Sequence, residues 1–412
     1  MTAITLTKDQ QNALDGFNQF LIDPIETVFV IEGYSGTGKS TLIKTLLDRM
    51  PNFIKASRLI NPSVREWPMT LTATTNKAAE NFSQITGMEV KTIHSHLCLR
   101  VNTDYRTGVT TLLPAKNTSP KEGQLIFIDE ASYIDPSLLS WIFKLTTRCK
   151  IVFIGDPAQL TAVMARGAPV FEAGFKTVRL SEVVRHDGPI LELATKFRNT
   201  VETGEFFQFT PDGHHIQLLD RDAFNHAVVN EFARPDWRYS DSKLLAWTNK
   251  RGVEYNHFIR DQAKGDPNFQ VGDYAVCNKF ISINKHSIKT DQLVCITDIR
   301  DAVEYGVSGK VFSVDGRLNA FMPNSLEARK EALKQAKFND DYLAMKTIEA
   351  DWIDLRAATA CTINKSQGST YDRVFIDLDD VARCTSGDQL ARMLYVGCSR
   401  ARKQLILTGD IA

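Results

Sequence analysis

Eight residues, Gly33-Tyr34-Ser35-Gly36-Thr37-Gly38-Lys39-Ser40, constrain this chain more than any others, because they fit G-x-x-x-x-G-K-[ST] in full. They follow the apolar run TVFVIEG (27–33) and open the helical pattern KSTLIKTLLDRM. A strand, a glycine-rich turn and a helix start in that order aim backbone N–H groups and the positive end of the helix at an anion. Lys39 is expected on the β- and γ-phosphates of a nucleotide, and the Ser40 hydroxyl on Mg2+. Gly33, Ser35, Gly36, Thr37, Gly38 and Thr41 complete the expected cradle. Such a loop needs a carboxylate at the end of a neighbouring strand, and QLIFIDE (124–130) supplies it. Asp129 is expected to hold Mg2+ through water, and Glu130 to activate the attacking water. A glycine-rich structural turn and a solvated Asp-Glu strand end are the plainer alternatives. The flanking strand and helix patterns weigh against both, so hydrolysis of a nucleoside triphosphate is the prediction.

At 412 residues the chain is too long for one core to serve, and two to four domains are expected. Further apolar runs recur at CKIVFIGD (149–156), KLLAWTN (243–249), DRVFIDL (372–378) and KQLILTG (403–409). Strands without polar alternation read as buried on both faces, the habit of parallel sheets covered by helices. KRGVEYNHFIRDQ reads as helix after the fourth run, so an early and a late α/β block are expected. Two stretches break this pattern. Residues 99–123 are polar, turn-rich and weakly β, a small excursion or hairpin. Residues 270–322 hold short alternating runs (DYAVCNKF, QLVCITDI, KVFSVDG, LNAFMP), which predict a small antiparallel barrel, and 325–355 then reads as helix.

Charge balances at 49 basic against 49 acidic side chains, which argues against a protein that coats nucleic acid non-specifically. Seven scattered cysteines without a CxxC spacing argue against a zinc site or a disulfide framework. No signal peptide is read in MTAITLTKDQQNAL and no run approaches 18 apolar residues, so a soluble, cytoplasmic enzyme without a membrane partner is expected.

From here the sequence resembles superfamily 1 helicases, motif by motif and in order. Leu6–Ala13 resembles the Q motif, whose glutamine reads the adenine edge; Gln10 holds that place and implies ATP as the cofactor, with Mg2+. Thr72–Ala79 resembles motif Ia and Thr92–His96 motif Ib, which implies that Thr75, Asn76, Lys77, Thr92 and His94 hold a single-stranded backbone. Thr74 stands where related sequences often have proline. Gly155–Leu160 resembles motif III, with Gln159 as the γ-phosphate sensor. Leu180–Arg185 resembles motif IV and Tyr395–Arg402 motif VI, which implies that Arg185 and Arg400 are arginine fingers brought from a second domain. Thr359–Thr370 resembles motif V, with Thr362, Asn364 and Lys365 on the DNA and Gln367 and Gly368 toward the nucleotide; many relatives have histidine where Asn364 stands.

Motif order, the 99–123 excursion and the insert before motif V are similar to the 1B branch, that of the Dda, RecD and Pif1 helicases. This implies two RecA-like P-loop NTPase domains, each a parallel sheet flanked by helices, with a pin insertion and an SH3-like β-barrel insertion. The implied boundaries are 1–178 for the first domain, with 99–123 as the pin. Residues 179–262 and 353–412 form the second, and 263–352 the SH3-like insertion. The resemblance also implies 5′ to 3′ translocation on single-stranded DNA and unwinding at single-strand/duplex junctions. A monomer is expected, with replication or recombination as its setting, a single-stranded-DNA-binding protein as a partner, and the host cytoplasm as its location if phage-encoded. Tyr105 is an aromatic candidate to meet the separating base pair, or an ordinary hairpin aromatic; Trp247 lines the strand channel or sits in the core. A translocase that displaces proteins without unwinding is the alternative function. RNA as the track stays open.

Overall fold

Each apolar run read above is a strand: Val28–Gly33, Leu125–Asp129, Lys150–Gly155, Ser242–Ala246, Tyr371–Asp377 and Ala401–Thr408. The computed structural model describes residues 6–103, 110–116, 118–161, 167–182, 188–283 and 286–410, with 101–103 and 110 as backbone only. They fall into two units, Met1–Phe207 with Leu394–Val396, and Gln208–Met393 with Gly397–Ala412. Arg185 and Tyr105 lie outside the described residues.

In the first unit six strands form a wholly parallel sheet, in the order Lys176–Leu180, Val28–Gly33, Lys150–Gly155, Leu125–Asp129, Met69–Ala73, Val90–Thr92. The edge strand Lys176–Leu180 spans the 178/179 boundary read from the sequence. Alternate residues of the central strands enter two different cores. Phe29, Ile31, Phe127, Val152 and Ile154 pack with helices Lys8–Ile22 and Lys39–Ile60. Val28, Val30, Ile126, Ile128, Ile151 and Phe153 pack on the other face with helix Pro136–Lys144. Both faces are covered, which is why these strands read as unbroken apolar runs.

The helical pattern read over 39–50 continues through Pro51 to Ile60, since Met50 and Ile54 prolong its buried face. Helix Lys8–Ile22 begins with a capping box between Thr7 and Gln10. Its far end is closed by a buried lysine on the central strand. Lys150 Nζ donates to the carbonyls of Phe20 (2.7 Å), Asp23 (2.8 Å) and Glu26 (2.6 Å), three acceptors for three donors.

The 99–123 excursion contains an antiparallel hairpin, Leu99–Thr103 with Thr110–Pro114. Trp141 Nε1 fastens it to helix Pro136–Lys144 by donating to Leu112 O at 3.0 Å.

The second unit holds a five-stranded parallel sheet, ordered Ile216–Leu219, Ala401–Thr408, Tyr371–Asp377, Ser242–Ala246, Ala360–Thr362. Helices Arg221–Phe232 and Asn249–Lys264 cover one face through Phe224, Val228, Tyr255 and Ile259. Ile376 points to the other face, where Gly397 of helix Gly387–Cys398 approaches so closely that a Cβ there would lie 3.0 Å from Ile376 Cδ1. The architecture is the expected α/β one, parallel sheets flanked by helices. Between Ser242–Ala246 and Ala360–Thr362 the chain forms a five-stranded antiparallel sheet, ordered Leu318–Pro323, Val307–Val314, Leu293–Glu304, Tyr274–Cys277, Leu355–Ala357. The stretch read as one helix over 325–355 is two, Leu326–Phe338 and Tyr342–Ala350, followed by a strand. Asp340 breaks it by adopting a left-handed φ of 52°, and Asp341 caps the second helix.

Candidate functional site

Strand Val28–Gly33 delivers the glycine loop and helix Lys39–Ile60 leaves it. Gly38, at φ 76°, is the N-cap of that helix, with no side-chain capping bond. A helix start is ordinarily capped by a Ser, Thr, Asp or Asn oxygen, so this end suits an external anion. Ser35 and Gly36 lie in the loop, while Ser40 and Thr41 occupy the first turn. Lys39 Nζ donates to the carbonyls of Gly33 (2.5 Å) and Tyr34 (2.9 Å), and Thr37 Oγ1 to Tyr34 O at 2.9 Å. A Cβ on Gly33 would stand 2.7 Å from Thr37 Oγ1 and 3.1 Å from Leu180 Cβ, so only glycine fits.

Gln10 is buried against this loop. Its Nε2 donates to Thr37 O at 3.2 Å, and its Oε1 accepts the Thr7 N–H at 3.1 Å. By count the carboxamide retains one N–H and one lone pair. The Thr7/Gln10 capping box, legible as T-x-x-Q, was missed in the sequence.

Asp129 and Glu130 end the strand between Met69–Ala73 and Lys150–Gly155. Burial first, and the Glu130 carboxylate second, push the Asp129 carboxyl up to about 7. Glu130 adopts φ 55°, a left-handed conformation that strains a residue with a side chain. Its carbonyl accepts from Thr74 Oγ1 at 3.0 Å and from Tyr133 N at 3.1 Å. The Thr74 hydroxyl thus supports the carboxylate loop.

The motif III strand meets the same loop. A Cβ on Gly155 would lie 3.1 Å from Ala131 N and 2.9 Å from the Phe171 ring. Asp156, fully buried, accepts the Ala158 N–H (3.0 Å) and Gln159 Nε2 (3.2 Å), which pins the Gln159 side chain. The sequence signal for Asp156 is its place before Pro157 at a strand end, a turn signature. Lys39, Asp129, Glu130 and Gln159 thus stand at or just beyond the carboxyl ends of three neighbouring parallel strands, the usual ligand position in open α/β sheets.

The three threonines expected on the strand are all helix N-caps. Thr75 accepts from Ala78 N (3.1 Å), Thr92 from Ser95 N (3.1 Å) and Thr362 from Lys365 N (3.3 Å). Each hydroxyl uses its oxygen inward, and its proton is the donor a phosphate needs. Asn76 and Lys77 follow Thr75 in the first turn, with Lys77 paired to Glu80 at 3.0 Å. His94 is pushed below the usual histidine range by burial, against the opposing pull of Asp135.

Arg400, in the second unit, is buried in the short link that joins the end of helix Gly387–Cys398 to strand Ala401–Thr408. Its guanidinium donates to Ser369 O (3.1 Å) and Ser399 Oγ (2.7 Å). Ser369 directly follows Gln367 and Gly368, so motif V and the arginine form one cluster. Asn364 and Lys365 project from the short helix Ile363–Ser366, and Lys365 Nζ contacts Asn278 and Asp291. Trp247 is half-buried beyond strand Ser242–Ala246.

Residues 5–221 match a family model described as an AAA domain, and residues 357–408 one described as a UvrD-like helicase C-terminal domain. The chain is similar to the ATP-dependent DNA helicase dda of Enterobacteria phage T4, 26% identical over 457 residues, covering 98% of this chain and 99% of that protein. In fold it is similar to a Pif1 helicase from Bacteroides solved with ADP-AlF3 and ssDNA, at a TM-score of 0.52 and 15% identity, covering 100% of this chain and 94% of that one.

Proposed function

The chain belongs to superfamily 1B of the P-loop helicases, and from that premise we propose that it is an ATP-dependent DNA helicase moving 5′ to 3′ on single-stranded DNA. The observation that carries the reading is the row of strand ends holding Lys39, Asp129, Glu130 and Gln159. Ser40 and Asp129, a hydroxyl and a carboxylate, are hard oxygen donors that suit Mg2+, an ion that takes few protein ligands beside substrate phosphates. When bound, Mg2+ neutralises charge on the β- and γ-phosphate oxygens.

In this reading Lys39 and the loop N–H groups hold the phosphates, and the remaining N–H and lone pair of Gln10 meet the adenine edge. Glu130 takes the proton of the attacking water. Gln159 senses the γ-phosphate, while Arg185 and Arg400 stabilise charge on the transferring phosphoryl group. Thr75, Asn76, Lys77, Thr92, His94, Thr362, Asn364 and Lys365 grip the strand by its backbone, which gives little sequence preference and a strong salt dependence. The hairpin of Leu99–Thr103 and Thr110–Pro114 is the element assigned to splitting the duplex, and the antiparallel sheet the SH3-like brace. Action as a monomer, a single-stranded-DNA-binding protein as partner, replication or recombination as setting and the cytoplasm as location belong to the same reading. Among the described residues no helix is long and apolar enough to cross a membrane.

A proton and Mg2+ compete for the Asp129 carboxylate. Burial and the Glu130 carboxylate hold the Asp129 carboxyl above the ordinary carboxylate range, so this residue would have to give up a proton to help hold the cation at lower pH. The apparent Mg2+ affinity in ATPase assays is therefore expected to weaken as the pH falls. Mg2+ titrations at acidic, neutral and alkaline pH check it, and a pH-independent midpoint refutes it.

Strand displacement from duplexes with a 5′ or a 3′ single-stranded tail, with Lys39→Ala as the blank, tests the function. Unwinding of the 5′-tailed duplex alone is expected. Unwinding only from the 3′ tail overturns the polarity. No unwinding, with ATPase still stimulated by single strands, leaves a translocase.

A further inference from the structure

Lys365, expected on the nucleic-acid backbone, is met by two acceptors from the antiparallel insert. Its Nζ lies 2.9 Å from Asp291 Oδ1 and 2.7 Å from Asn278 Oδ1. The socket is built into the sheet. Asn278 donates its backbone N–H to Asp354 O (2.8 Å) and its Nδ2 to Asp354 Oδ2 (2.9 Å), which turns its amide oxygen to the lysine. Asp291 sits in a tight turn, its N–H on Cys277 O at 2.7 Å and its φ at 61°, a conformation rare for a residue with a side chain. Both residues adjoin strand Tyr274–Cys277, so the insert fixes the positions from which they reach motif V.

We propose that Asp291 sets the grip of motif V on the strand: its carboxylate occupies the Lys365 ammonium where a backbone phosphate binds, so gripping and release become an exchange between two anions. This rests on the reading of Lys365 as a strand contact. A carboxylate and an amide oxygen around one ammonium present it with what a phosphodiester presents, two oxygen acceptors. The pair is reachable from solvent, with the lysine side chain 34% and the aspartate 41% exposed. An ion pair so exposed holds weakly, so an incoming phosphate displaces it at little cost. A motor must let go of its track in every cycle, and an internal competitor lowers the affinity that release has to overcome.

The test uses the full chain and a fluorescein-labelled oligothymidylate, with binding read by anisotropy at low and moderate salt. Asp291→Asn is expected to bind about two- to fivefold more tightly, the range of an exposed ion pair. The gain is expected to vanish when Lys365 is already changed to Met. Asp291→Gly, which suits the left-handed backbone, repeats the measurement if the amide disturbs the turn. Unchanged or weaker binding by both Asp291 variants, with Lys365→Met weakened, overturns the proposal and leaves the strand contact standing. A gain that persists undiminished beside Lys365→Met also overturns it. If Lys365→Met alone leaves binding unchanged, the reading of Lys365 fails, and the proposal with it.

Discussion

Arg400→Ala is expected to lower kcat for ATP hydrolysis at saturating single-stranded DNA by about 10^3, the lower end of what an arginine finger supplies. The KM for ATP should change little, because the guanidinium is assigned to charge that appears only as the phosphoryl group transfers. The side chain is 4% exposed and held by Ser369 O and Ser399 Oγ, and its own carbonyl accepts the Tyr371 N–H at 2.8 Å. Arg400→Lys is expected to rescue little, since a single ammonium cannot reproduce the planar fork. Steady-state ATPase assays with binding of a labelled nucleotide measure both constants. A loss of tenfold or less, with nucleotide binding intact, would return Arg400 to a structural part, a buried clamp between motif V and the last strand.

Glu130→Gln is expected to cost about 10^2 to 10^4 in kcat, the usual worth of a positioned general base, while nucleotide binding survives. The exchange is nearly isosteric and leaves untouched the backbone contacts that hold this residue. Its left-handed φ of 55° costs on the order of 1–2 kcal/mol, and a fold retains such a conformation where its surroundings over-determine it. Here the Glu130 carbonyl is fixed by Thr74 Oγ1 and Tyr133 N, which aims the carboxylate independently of its charge. Single-turnover hydrolysis separates the base from the cation ligand: Glu130→Gln should bind nucleotide and Mg2+ normally and turn over slowly. Near-normal turnover would place the base elsewhere and leave Glu130 as a partner that raises the Asp129 carboxyl.

The strands legible in the sequence are the central ones. LIFID and KIVFIG are buried on both faces, and burial on both faces writes itself as an unbroken apolar run. Lys176–Leu180 and Ile216–Leu219 sit at sheet edges, half-covered and partly polar, and carry no comparable signal. The break at Asp340 was missed because the flanking residues keep a helical pattern on both sides, and one left-handed residue is enough to turn the chain.

The site divides in the same way. Lys39, Ser40, Asp129 and Glu130 stand out in the sequence because the phosphate and cation binding proposed for them demands particular residue types within a few positions of a strand end. Thr75, Thr92 and Thr362 were assigned by resemblance to motifs Ia, Ib and V, and the structure adds that each is a helix cap, a local bond within three residues. What the sequence determined by itself is therefore what short-range spacing can encode: the glycine-rich loop between strand and helix, the carboxylate pair at a strand end and the α/β class. Only the tertiary structure decided which strand ends stand side by side, that Gln10 leans on Thr37, and that Asp291 and Asn278, 74 and 87 positions away, hold Lys365. Those contacts depend on strand order and on where an inserted sheet returns to its parent, and residues so far apart along the chain leave no periodic trace of each other.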